Sequence, residues 1–171
     1  PFLLPLMLQL GFGLSPFQSG LITFISAVGA ILSKFLTERM FARFGFKPVL
    51  VICGFMGGVL IATQGLFHAD SPQFLLMLVL LVGGVLRSFF FTGSNALGYA
   101  DIDNEEASQA TAIVAVSQQL TIASGVAVAG AILELSSNMH GGTLSLIDFQ
   151  TAFFVVGGLI GVGGLLYLWF P

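Results

Sequence analysis

Few residues in this chain could do chemistry inside an apolar environment. Arg87 is the one strong charge well inside an apolar run, seven residues before Ser94. Arginine at the centre of a membrane span costs on the order of 3 kcal/mol on insertion scales. In a helix, Arg87 would lie roughly 10 Å from the end of that run, and its side chain would lean toward the helix N-terminus, away from that end. Two roles are open: snorkelling or a structural partner, or a charge facing a central cavity. The second group is an amide pair. Gln118 falls roughly 17 Å into a helix starting at Ala107, where an amide must find a partner in protein or water. It shares a stripe with Thr111, Ala115, Thr121, Gly125 and Ala129 at three- and four-residue spacing. Gluing helices together and lining a substrate cavity are both open to it. Gln119 points about 100° away, so the two amides cannot serve one contact equally. Arg87, Gln118, Gln119 and Thr121 are the cavity-lining candidates.

A further set sits at the ends of the apolar runs. Lys34, Arg39, Arg43 and Lys47 cluster in one stretch, and Asp101, Asp103, Glu105 and Glu106 in another. Lys34 is close enough to its run's end to snorkel. The rest form a candidate cytoplasmic gate: Arg39, Arg43 and Lys47 against the four acids, with Arg39 or Arg43 pairing to one of them in at least one conformational state. Exposed pairs contribute only ~0–1 kcal/mol, enough to bias a gate. Glu134 and Asp148 are expected as solvated interfacial acids, with proton carriage the alternative for Glu134. His68 and His140 have no metal-ligand spacing between them. The lone Cys53 excludes an internal disulfide and a multi-cysteine metal site, and reads as a small buried residue. With no nucleophile elbow, P-loop or HExxH motif, the residues argue against an ATPase or protease. No metal, no cofactor and no nucleic-acid partner is expected.

The elements that must position these residues follow from composition. Apolar types make up 56 % of 171 residues and charged types 8 %, with mean hydropathy +1.02. Soluble domains average roughly 25 % charged residues, so the solvent implied is lipid. A helical span needs about 20 mostly apolar residues. The expected spans are about 1–14 (partial), 17–36, 49–67, 74–94, 107–135 and 149–170, about 5.5 in all within a single transmembrane lobe. No period-two alternation supports strands. The chain opens without Met inside an apolar run and ends after another, so it reads as a piece of a longer chain; no signal peptide is recognisable. Ser15, Asp70 and Asp103 stand at expected N-caps, Asp103 with Glu106 at capping-box spacing and acids Asp101 and Glu105 favouring the helix dipole. The basic cluster places connector 37–48 in the cytoplasm. Parity then puts 95–106 there too, and the connectors near Ser15, Asp70 and Ser137 outside. Gly54–Gly58 and Gly157–Gly161 have small-xxx-small spacing; with Gly125 they are the helix-packing candidates, with a sliding interface as the functional alternative.

Several stretches look like a known family. Residues Pro5-Leu6-Met7-Leu8-Gln9-Leu10-Gly11-Phe12-Gly13-Leu14-Ser15-Pro16-Phe17-Gln18-Ser19-Gly20 resemble a connector of the major facilitator superfamily, closest to its multidrug:proton antiporters with about fourteen spans. Arg43-Phe44-Gly45-Phe46-Lys47-Pro48 resembles the degenerate second copy of that superfamily's cytoplasmic loop motif, with Glu38 and Ala42 where its Gly and Asp would align. Ala107-Ser108-Gln109-Ala110-Thr111, Gln118-Gln119-Leu120 and Gly125-Val126-Ala127 resemble the penultimate-helix region of those exporters. The resemblance covers nearly the whole chain. It implies an all-α membrane protein: the C-terminal helical lobe of a major facilitator transporter, arranged as two three-helix repeats (1–67 and 73–170), in a bacterial inner membrane. It further implies alternating access, proton-coupled efflux of small hydrophobic or amphipathic substrates, and a partnering N-terminal lobe that holds the proton-carrying carboxylates. Rival functions are transport of a metabolite or siderophore on the same fold, and a non-transporting membrane scaffold or sensor.

Overall fold

The chain enters through a short helix, α1 (Leu3–Leu6), which widens into a π turn at Met7–Gly11. The computed structural model describes residues 2–99, 107–140 and 142–169. After α1 come α2 (Pro16–Phe44), α3 (Phe46–Gln64), α4 (Gln73–Gly98), α5 (Ala107–Met139) and α6 (Leu146–Leu166), the last closing in a 3₁₀ turn at Tyr167–Trp169. Among the described residues there is no strand.

Local chemistry sets the helix limits. Ser15 caps α2 as its type and position suggest: its Oγ accepts the Gln18 amide at 3.2 Å, and Gln18 Oε1 accepts the Ser15 amide at 3.1 Å. Pro16 fills the first helical position, where its missing N–H is no loss. Such a cap contributes about 1 kcal/mol. The helix then continues past residue 36 to Phe44. At about 1.5 Å per residue its 29 residues reach roughly 44 Å, well beyond a ~30 Å bilayer core. Most of the 37–48 connector is therefore helix rather than loop. Gly45, at φ 78°, is the break, its N–H bonded to the Phe41 carbonyl at 2.9 Å; a side chain disfavours that left-handed conformation. Phe46 immediately opens α3, and Pro48 sits in its first turn, where proline is tolerated.

The expected cap at Asp70 is not made. Pro72 occupies the N-cap position of α4 without a side-chain hydrogen bond. Before it, Ser71 Oγ accepts the His68 amide at 2.9 Å. The proline, fixed near helical φ two residues later, sets the start in place of the acid. Asp103 and Glu106 lie outside the described residues.

Two glycine crossings bring helices to backbone contact. Between α3 and α6, a Cβ on Gly58 would stand 2.5 Å from the Gly161 nitrogen, and one on Gly54 2.6 Å from the Gly164 Cα. Between α2 and α4, a Cβ on Gly29 would strike the Leu81 carbonyl and one on Gly84 the Ser26 carbonyl. This second crossing carries Gly29–Ser33 and Gly84–Ser88, the same four-residue spacing with serine as the second small residue; Ser88 Oγ donates to the Ala30 carbonyl at 3.4 Å. Without hydrophobic exclusion in lipid, such close approach is what holds helices together. Gly125 is exposed, and no described residue of another helix stands within 4 Å of where its Cβ would be.

The main apolar core gathers at the helix ends remote from Arg39, Arg43 and Lys47, here called the far end. It includes Met7, Leu8, Ile22, Phe67, Phe149 and Phe153. Ser19, buried, ties α2 to α1 through the Pro5 carbonyl at 3.4 Å. A smaller cluster, Val49, Cys53 and Phe89, sits nearer the basic end. The outer surface stays apolar, with Phe17 at 79 %, Phe35 at 78 % and Phe74 at 77 % exposure. Among the described residues, five helices are long and apolar enough to cross a membrane. The chain is an all-α membrane protein, and lipid is the solvent that suits such a surface.

Candidate functional site

The basic end of α4 presents three polar side chains in four positions, and each is joined to a different helix. Thr92 Oγ1 accepts Lys34 Nζ from α2 at 3.0 Å. Ser94 Oγ meets the Tyr167 hydroxyl, just past α6, at 3.1 Å. Asn95 Oδ1 accepts Gln118 Nε2 from α5 at 2.7 Å, while its own Nδ2 donates to the Phe91 carbonyl at 2.8 Å. Gly93, between them, leaves room for the ring of Phe41 and for Leu50; a Cβ would come within 2.8 Å of the ring. Lys34 is therefore more than a snorkeller.

Arg87 lies on the same face of α4. Arg87, Phe91 and Asn95 recur at every fourth residue, so they stack along one side. Arg87 and Phe91 are exposed and Asn95 is half-buried. Because α4 continues to Gly98, Arg87 lies 11 residues from one end and 14 from the other, or roughly 16 and 21 Å. It is deeper than a span ending at Ser94 would put it. It makes no hydrogen bond or ion pair among the described residues.

The four cavity-lining candidates are not gathered into one contact. Gln118 is tied to Asn95. Gln119 is exposed on another side of α5. Thr121 turns its hydroxyl back to the Ser117 carbonyl at 2.8 Å. No hydrogen bond joins any of the four to another. Of the gate candidates, Arg39 and Arg43 stand exposed on the last turns of α2, with the Arg43 guanidinium 5.6 Å from the Phe44 ring centroid. Lys47 opens α3. Asp101, Asp103, Glu105 and Glu106 lie outside the described residues.

Asp148 differs most from expectation. It is fully buried rather than solvated. Ser136 Oγ donates to its Oδ1 at 2.6 Å, and the Ser145 amide and hydroxyl donate to Oδ2 at 2.8 and 2.9 Å. His140 Nδ1 stands 3.0 Å from Oδ1 and 2.9 Å from the Ser136 carbonyl. Both of those are acceptors, so the geometry calls for the hydrogen on Nδ1. The carboxylate fastens the far end of α5 to the start of α6. The Ser-x-x-Asp spacing of Ser145 and Asp148, a capping box, was a signal for their mutual contact alone.

A far-end cleft of about 50 Å³, lined by Phe67, His68 and Ser71 among others, is far smaller than the ~300–1,000 Å³ of ligand pockets. A shallow groove of about 230 Å³ runs along the glycine crossing of α3 and α6. Most of α5 is exposed, with burial confined to its far-end turns at Ala129, Leu133, Ser136 and Ser137. What the arrangement offers is therefore an open face, with a charge and a braced amide pair along it.

A family model described as Major Facilitator Superfamily matches residues 1–171. The chain belongs to the major facilitator superfamily. Similar curated proteins carry the name multidrug resistance protein MdtD. That of Enterobacter sp. (strain 638) is 33 % identical over 143 residues, covering 82 % of this chain and 30 % of the relative. That of Klebsiella pneumoniae (strain 342) is 31 % identical over 141 residues, with 82 % and 30 % covered. That of Yersinia enterocolitica is 32 % identical over 133 residues, with 78 % and 28 % covered. The chain thus spans less than a third of the length of the relatives it matches. No solved structure matches it. Membership in this superfamily points to a transporter rather than an enzyme, and the apolar helices place the chain in a bilayer.

Proposed function

We propose that this chain forms the C-terminal lobe of a secondary transporter that exports hydrophobic or amphipathic compounds by alternating access, with the proton as coupling ion. The observation that carries this reading is the open face of α4 and α5: Arg87 stands exposed near the middle of α4, and the Asn95–Gln118 pair lies along the same face nearer its basic end. A scaffold has no need of polar groups so costly to insert. The names of the MdtD relatives favour drug efflux over other cargo. On this reading the basic end faces the cytoplasm of a bacterial inner membrane, an N-terminal lobe of the same protein covers the open face, and the proton-carrying carboxylates belong to that lobe. Arg39, Arg43 and Lys47 with the 101–106 acids act as the cytoplasmic gate.

The test is dye flux. Full-length protein in liposomes should move an amphipathic dye when a pH gradient is imposed, and stop when the gradient is collapsed. Flux indifferent to the gradient removes the proton; no flux of any dye favours the scaffold. For the gate, reversing Asp101, Asp103, Glu105 and Glu106 to Lys should shift the inward/outward ratio in cysteine labelling. An unchanged ratio removes the gate.

A further inference from the structure

We propose that Arg87 is an anion subsite on the transport path, so that the compounds carried include amphipathic carboxylates. This rests on the transport function proposed above and names its substrate class. The guanidinium is exposed near the middle of α4 and has no hydrogen bond or ion pair among the described residues. Nor does a described carboxylate have the position to neutralise it. Glu38 is exposed near the basic end of α2, and Asp70 precedes the start of α4. Asp148 is saturated by Ser136, Ser145 and His140. Glu134 is at the wrong depth. Taking the Asn95–Gln118 bond as a common level, Arg87 is roughly 12 Å along α4 from it and Glu134 roughly 24 Å along α5.

An arginine so placed needs an oxyanion from outside these helices. Its planar fork matches a carboxylate through two parallel N–H···O bonds, an arrangement a lysine cannot copy. Phe91, one turn along the same face and 55 % exposed, offers an apolar surface beside the charge. Together they would bind a molecule with an acid head and a greasy body. Lipid phosphate is a poor rival, since roughly 16 Å separates Arg87 from the nearer helix end.

The experiment uses the full-length protein in liposomes and two probes, a dansyl-tagged medium-chain carboxylate and its uncharged primary amide. The readout is the ratio of carboxylate to amide flux above protein-free liposomes. Arg87→Gln should lower that ratio about tenfold, as expected for one charge-assisted bidentate contact, and Arg87→Lys should fall between. An equal loss for both probes in Arg87→Gln makes Arg87 a structural partner of another segment and overturns the subsite. Should the wild type move neither probe, the transport function fails separately. Binding to detergent-purified protein then decides: carboxylate binding lost in Arg87→Gln upholds the subsite, and binding indifferent to the substitution overturns it.

Discussion

Asn95 has two polar atoms on its amide and both are engaged, one by Gln118 across the helix gap and one by the carbonyl of its own preceding turn. Removing either amide leaves its partner in apolar surroundings. Interhelical hydrogen bonds in membranes contribute about 0.6 kcal/mol on average and up to ~1.7 kcal/mol. We expect Asn95→Leu and Gln118→Leu each to destabilise by about 1 kcal/mol, and the double variant by less than their sum. Equilibrium unfolding in mild detergent measures this, and strict additivity would show that the two do not interact. Asp148 should matter more. Asp148→Ala leaves the donors of Ser136 and Ser145 without their acceptor, while His140 Nδ1 keeps the Ser136 carbonyl, and each buried donor left unsatisfied costs ~1–3 kcal/mol. The same unfolding assay should register that loss; a change below ~1 kcal/mol would mean water reaches the site. Neither partnership was legible from residue types alone. That Gln118 needs a partner follows from its depth, but Asn95 as that partner is a tertiary fact. Asp148 looked like an interfacial acid because burial depends on α5 folding back over α6.

Helix limits were legible where the signal is local. Ser15 beside Pro16 carries its own cap, whereas the stop at Gly45 was missed because the expected span ended at 36. Asp70 misled because Pro72 lies closer to the periodic residues. At the crossings, paired glycines are a visible pattern at Gly54–Gly58 and Gly157–Gly161. At Gly29 and Gly84 the second small residue is serine, so the pattern hid. A sharp contrast follows. Gly84→Val drives side-chain atoms onto the Ser26 carbonyl and should cost about 1–3 kcal/mol or more. Gly125→Ala meets open space and should stabilise by up to ~1 kcal/mol, because alanine is the better helix former. Thermal unfolding of the two variants decides. Strong destabilisation by Gly125→Ala would reveal a packing partner for α5 outside the described residues.

Across the whole molecule, the apolar composition already required a bilayer, and the superfamily match agrees with the motifs at 5–20, 43–48 and 107–127. The proposed orientation makes one prediction at this scale. In intact cells, a membrane-impermeant maleimide should label Ser71→Cys and leave Arg43→Cys unlabelled; the reverse pattern would turn the protein over. The four residues expected to line a cavity do not converge: Gln118 is tied to Asn95, and Gln119 is exposed on another side of α5.

At Gly29 and Gly84, where α2 lies on α4, and at Gly58 and Gly164, where α3 lies on α6, main chain rests against main chain. A side-chain contact can yield by exchanging rotamers, but this kind has none to exchange. In the alternating-access cycle proposed above, each couple should therefore travel as one stiff plank, leaving the flexing to boundaries padded by longer side chains. Spin-label distances measured within each couple should hold constant between inward- and outward-facing states while distances to α5 change.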